Sequence, residues 1–142
     1  MSKKSINIVC YANYCRSPAA EQILRNIHQD KFEFQSSGLN PLIKSNMDPR
    51  SVRFLEQNKI RNTLHIPKKI NLESVMKNDL ILALDIEILL ALNKSFPLQK
   101  KKIKLITYQN PKIKIQDPYH LSDEEYYKVM EKLLSVCKDL KL

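Results

Sequence analysis

Leu80-Ile81-Leu82-Ala83-Leu84 is an unbroken apolar run, closed by Asp79 on one side and Asp85 on the other. It is far shorter than the ~20 apolar residues that span a bilayer, and it lacks the polar alternation of a strand with one wet face. It reads as a strand covered on both faces, the kind found in parallel sheets. Ile6-Asn7-Ile8-Val9 reads the same way, Phe32 to Gln35 alternates as a further strand, and Ile103 to Thr107 supplies a fourth. Helical patterns lie between them. Ser17 is expected to cap a helix with Pro18 at its first position and Ala20, Ile23, Leu24 and Ile27 on one face. Asp48-Pro49 opens another, with Val52 and Leu55 inward. Asp85 caps a third, with Ile86, Leu89 and Leu90 sharing a face. Ser122 and Glu125 form a capping box. The helix after it carries Tyr126, Val129, Met130, Leu133, Val136 and Cys137 on one stripe, so Cys137 reads as core. Strands alternating with helices predict an α/β three-layer sandwich, a four-stranded parallel sheet flanked by helices on both faces. The 142 residues are expected to form a single domain, 1–142. The stretches 39–47, 62–71 and 108–121 show no regular pattern.

In such folds the working site lies beyond the carboxyl ends of the strands. Cys10 stands there, and five residues later comes Arg16. A loop of that length can curl so that its amides converge on one centre, with the positive end of the following helix behind them. Arg16 adds a planar fork that matches two oxygens of a phosphoryl group. The same field favours the thiolate of Cys10, the form that attacks phosphorus. Ser17 can donate a hydrogen bond to that thiolate. Asn13 tolerates the left-handed backbone that a tight loop needs.

Several classes are set aside. One glycine, Gly38, rules out a glycine-rich nucleotide loop. Cys10, Cys15 and Cys137 have no C-x2-C or H-x3-H companion, so no metal is expected. No secretion signal accompanies the three cysteines, which argues against a disulfide framework and for a cytoplasmic protein without membrane insertion. The net charge of +9 suits anionic partners of any kind. Lysines 100–102, 104, 112 and 114 are densest, yet few aromatics interleave with them, so no nucleic-acid partner is expected.

The loop reads Val9-Cys10-Tyr11-Ala12-Asn13-Tyr14-Cys15-Arg16-Ser17-Pro18-Ala19-Ala20-Glu21. It resembles the V-C-x-G-N-x-C-R-S-P-x-A-E loop of the low-molecular-weight protein-tyrosine-phosphatase family. Ser36-Ser37-Gly38, Met47-Asp48-Pro49-Arg50, Asp79 to Asp85 and Asp117-Pro118-Tyr119 are similar to further family segments in the same order. The resemblance implies hydrolysis of phosphotyrosine monoesters through a phosphocysteine intermediate, without cofactor. The partner implied is a phosphotyrosine-containing protein, and inorganic phosphate is the product. Cys10 is implied as nucleophile, Arg16 as the binder of the equatorial oxygens and Asp117 as general acid and base. Residues 10–17 form the phosphate-binding loop. Asn13, Ser17, Ser36 and His65 support it. Tyr11, Tyr119 and His120 form the substrate wall, with Leu42 or Ile43 beside them. Cys15 is implied as a redox partner able to form a reversible disulfide with Cys10. Asp48 and Asp85 read as helix caps.

The chain departs from the family pattern in places. Ala12 replaces glycine, Tyr14 replaces isoleucine or the threonine of the arginine-phosphatase branch, Lys68 replaces arginine, and no glycine follows Asp117-Pro118-Tyr119. Ala12 and Tyr14 keep open a catalytically weak module that binds phosphate or phosphotyrosine; a protein-arginine phosphatase is a further alternative, disfavoured by the lack of threonine at position 14. Thiol-coupled arsenate reduction needs a mid-chain cysteine pair, which residues 70–100 lack.

Overall fold

The computed structural model describes residues 2–142; Met1 lies outside them. Four strands form one parallel sheet: β1 (Lys4–Cys10), β2 (Phe32–Gly38), β3 (Leu80–Ala83) and β4 (Ile103–Leu105), in the order β2-β1-β3-β4. The helices are α1 (Arg16–His28), α2 (Pro49–Gln57), α3 (Leu72–Lys77), α4 (Ile86–Ser95) and α5 (Asp123–Asp139), with short 3-10 turns before β2 and β4. Side chains alternate across β3. Leu80, Leu82 and Leu84 join the core with residues of α1, α2 and α5, whereas Ile81 and Ala83 pack with Val75 of α3 and with Ile88 and Leu92 of α4. Two apolar clusters on opposite faces make the expected three-layer sandwich. Among the described residues, no helix is long and apolar enough to cross a membrane.

Several local expectations hold. Asp48 accepts from the Arg50 amide, Asp85 from Ile88 and Ser122 from Glu125, each as a helix cap. All six residues of the α5 stripe are buried, and Cys137 has no solvent exposure.

Others are corrected. Ser17 is not a cap: α1 opens at Arg16, with Cys15 in the capping position and no side-chain cap bond. The Ser17 hydroxyl is taken by the loop instead. Pro18 is third in the helix, still within the turn whose amides have no intrahelical partner. The inward face of α4 is Ile88 and Leu92; Ile86 and Leu90 are exposed and Leu89 is half-buried. Ile27 is exposed near the end of α1. β2 runs on to Gly38, β4 stops at Leu105, and α3 occupies a stretch for which no helix was expected.

Candidate active site

The loop between β1 and α1 is shaped from behind by the end of β2. The amides of Leu39, Asn40 and Leu42 donate to the carbonyls of Cys10, Tyr11 and Ala12 at 3.2, 2.8 and 3.0 Å. Those carbonyls therefore face away from the site. Among the described residues, the amides of residues 11–15 have no acceptor. Unpaired amides gathered at a helix N-terminus make a binding place for a tetrahedral anion.

Asn13 holds the curl. Its φ is 51°, the left-handed region, and Ala12 is outside that region. The alanine that replaces the family's glycine is therefore accommodated without backbone strain. The Asn13 Nδ2 donates to Ser17 Oγ at 2.8 Å and Ser36 Oγ at 3.0 Å, while Oδ1 accepts from the Lys68 amide at 3.0 Å. Ser36 in turn donates to Glu21 Oε1 at 2.6 Å. His65 Nε2 lies 2.8 Å from the Asn13 carbonyl, so the ring donates there. Burial lowers the pKa of His65 and keeps the ring neutral. The four residues expected to support the loop are brought together, and Glu21 and the Lys68 backbone join them.

Cys10 Sγ lies 2.9 Å from Ser17 Oγ. Because Asn13 already donates to that oxygen, the Ser17 proton is free to point at a thiolate; its other acceptor, the Ser37 carbonyl, is 3.4 Å away. Arg16 is 2 % exposed and donates from Nη1 to Asp85 Oδ2 and to the Ile115 carbonyl, both at 2.8 Å. Asp85 thus caps α4 with one oxygen and orients Arg16 with the other. That second task of Asp85, and the Ile115 carbonyl, escape a reading of the sequence, since the partners are 69 and 99 residues away.

A cavity of about 300 Å³ opens over the loop, lined among others by Cys10, Arg16, Leu42, Asp117, Tyr119 and His120. Tyr11 also lines it, and its hydroxyl accepts from Asn40 Nδ2 at 3.2 Å. Leu42 is the wall residue of its pair; Ile43 is 94 % exposed and does not line the cavity. Tyr14 does not line it either. Its ring stands edge-on to Tyr119, with 6.0 Å between centroids. Asp117 accepts from the Tyr119 amide at 3.1 Å and is exposed at the cavity mouth. Cys15 is buried at the cavity floor. Its thiol donates to Asp48 Oδ2 at 3.8 Å, and burial pushes its pKa up to about 12. It is a protonated thiol at neutral pH.

Gly38 is the hidden element of this site. A Cβ there would stand 2.8 Å from the Asn13 nitrogen and 2.8 Å from the Tyr11 oxygen. Both are backbone atoms of the loop. Gly38→Ala is expected to push the loop forward, costing about 1–3 kcal/mol as overpacking and lowering turnover. Thermal melts with steady-state assays check this; wild-type stability and turnover would show that the loop yields freely.

Fold and site together define a class: cysteine-dependent phosphatases whose nucleophile loop joins the first strand to the first helix. The sequence model described as low molecular weight phosphotyrosine protein phosphatase matches residues 5–141. A pig protein of that description is 31 % identical over 146 residues, covering 95 % of this chain and 92 % of its own length. The Escherichia coli K12 low molecular weight protein-tyrosine-phosphatase Wzb is 28 % identical over 122 residues, covering 86 % of this chain and 82 % of that protein. The crystal structure of Wzb from Escherichia coli K30 in complex with sulphate superposes with a TM-score of 0.88 at 28 % identity, covering 96 % of this chain and 95 % of the other. The chain belongs to the low molecular weight phosphotyrosine protein phosphatase family.

Proposed function

We propose that this chain hydrolyses phosphotyrosine in protein substrates, with Cys10 as nucleophile, Arg16 as transition-state clamp and Asp117 as proton donor. The observation that carries the reading is the loop itself: a thiol and a buried arginine at its two ends, with amides between them that lack an acceptor. The Cys10 thiolate attacks phosphorus, an S–P bond forms and the ester P–O bond breaks. Asp117 gives its proton to the departing phenolate oxygen. Water then attacks the phosphocysteine and surrenders a proton to Asp117, inorganic phosphate leaves, and the thiolate is restored. Ser17 steadies the thiolate in both steps. Tyr11, Tyr119 and His120 flank the aromatic ring. Arg16, the amides and the start of α1 supply the positive charge.

The binding-module alternative rests on Ala12 and Tyr14, and the arginine-phosphatase alternative is disfavoured by the absence of threonine at position 14. Ala12 does not have a positive φ, and Tyr14 stands edge-on to Tyr119 without lining the cavity, which supports turnover over a binding module. Hydrolysis of p-nitrophenyl phosphate and of a phosphotyrosyl peptide, in the presence of a chelator, tests the reading. Wild type should turn over both, and Asp117→Asn should be slowed about 10²-fold or more. A reduced, folded wild type that binds phosphate without turnover would move the assignment to the binding module. Preference for a phosphoarginine peptide would move it to the arginine branch.

Cys15 fits a protective role. Peroxide converts the Cys10 thiolate to sulfenic acid; the Cys15 thiol condenses with it, giving a disulfide and water. After excess peroxide, wild type should regain activity with a thiol reductant, and Cys15→Ser, whose unprotected sulfenic acid is oxidised on by a second peroxide to sulfinic acid, should not. Equal recovery of both would remove the role.

A further inference from the structure

The segment that carries Asp117 has little structure of its own. Between β4 and α5 there is no helix or strand, and the only internal ties near Asp117 are its bond from the Tyr119 amide and a turn from Leu121 to the Pro118 carbonyl. It is held from outside on both sides of Asp117: Arg16 takes the Ile115 carbonyl before it, and Arg50 takes two carbonyls after it. Arg50 in α2 donates from Nη2 to the Tyr119 carbonyl at 3.0 Å and from Nη1 to the Leu121 carbonyl at 2.9 Å. The guanidinium is held in turn by a two-point bond to Asp48, Nε to Oδ1 at 3.0 Å and Nη2 to Oδ2 at 2.9 Å. It lies 4.0 Å over the Tyr126 ring. Burial pushes the carboxyl of Asp48 upward, but its bonds from Arg50 outweigh this and hold it below the usual range, so the pair stays charged. The Asp48 amide donates to the Tyr14 carbonyl at 2.9 Å, inside the phosphate loop.

These contacts form one continuous strut: phosphate loop, Asp48, Arg50, acid segment. We propose that Arg50 is a positioning residue for the proton donor, fixing where Asp117 stands relative to Cys10 by gripping the Tyr119 and Leu121 carbonyls downstream of it. Arginine is required because a single planar fork serves the carboxylate on one side and two carbonyls on the other. Lysine, a point charge with a single nitrogen, cannot hold both. Arg50 does not line the cavity, so its effect should be specific to the step in which the leaving oxygen needs a proton. The inference rests on the proposed phosphatase reaction.

The test is kcat/KM for a series of aryl phosphates, from 2,4-dinitrophenyl phosphate, whose phenolate departs unaided, to phenyl phosphate, whose leaving group has a pKa near that of tyrosine, about 10. Wild type should vary little across the series. Arg50→Lys and Arg50→Met should lose about 10²-fold on phenyl phosphate and only a few-fold on the dinitrophenyl ester, with the affinity for inorganic phosphate unchanged. The ratio between two esters is read on one preparation, so any unfolded fraction cancels. In an Asp117→Asn background, Arg50→Lys should steepen the series no further. Equal losses on every ester, or a further steepening in that background, would overturn the inference and leave Arg50 a stability residue. A wild type inactive on every ester would instead sink the phosphatase reading itself.

Discussion

Cys10→Ser should show no measurable turnover and still bind inorganic phosphate. The cradle does not make an alkoxide at neutral pH, because a serine hydroxyl has far higher proton affinity than a thiol. The serine also forms a phosphate ester that leaves poorly in the second step. Removing a nucleophile that works as a unit with its partners costs about 10⁴–10⁶ in rate. Binding should survive because Arg16, bonded to Asp85 and the Ile115 carbonyl, does not depend on the sulfur, and neither do the loop amides. Turnover of p-nitrophenyl phosphate and calorimetric titration with phosphate measure the two properties on one sample. Residual turnover within tenfold of wild type would mean that another group attacks phosphorus.

Arg16→Lys is the second large effect, with an expected loss of about 10³ in kcat/KM, the low end of what a transition-state arginine supplies. Two neighbours hold the Arg16 Nη1 at 2.8 Å each, and these bonds set the plane of the fork before substrate arrives. Lysine brings the charge without the second donor or the plane. It also leaves the Ile115 carbonyl or Asp85 short of a partner in a site where position 16 is 2 % exposed. Melting temperature should therefore fall with activity, although the activity loss should exceed what the folded fraction accounts for. A lysine variant within tenfold of wild type would show that charge alone suffices.

Much of the frame was legible in the chain because burial on both faces writes itself as uninterrupted apolar runs. β3 is of that kind, β1 is broken only by the buried Asn7, and α5 has a single unambiguous stripe. α4 was legible as a helix but not in orientation: Ile86, Ile88, Leu89, Leu90 and Leu92 are apolar nearly all round, so spacing gives no phase, and Leu90 ends in solvent. α3 escaped because its six residues bury only Val75. The loop residues were legible through Cys10, Arg16 and Asn13, whose chemistry is local. Asp85 showed only its capping role, and Arg50 showed none, because their partners lie far along the chain or are backbone carbonyls, which carry no sequence signal. Gly38 was visible as the single glycine, but the nearness of the Asn13 backbone that demands it was not.

The long reach of Arg16 also bears on how the chain matures. Its anchors are 69 and 99 residues away in sequence, and the strand before the loop takes its neighbours from β2 and β3. Contacts of such separation form late, after loop-closure entropy has been overcome. A partly folded chain therefore carries Cys10 without the arginine fork or the amide nest around it. The loop, the arginine fork and the thiol become one site only as the sheet closes.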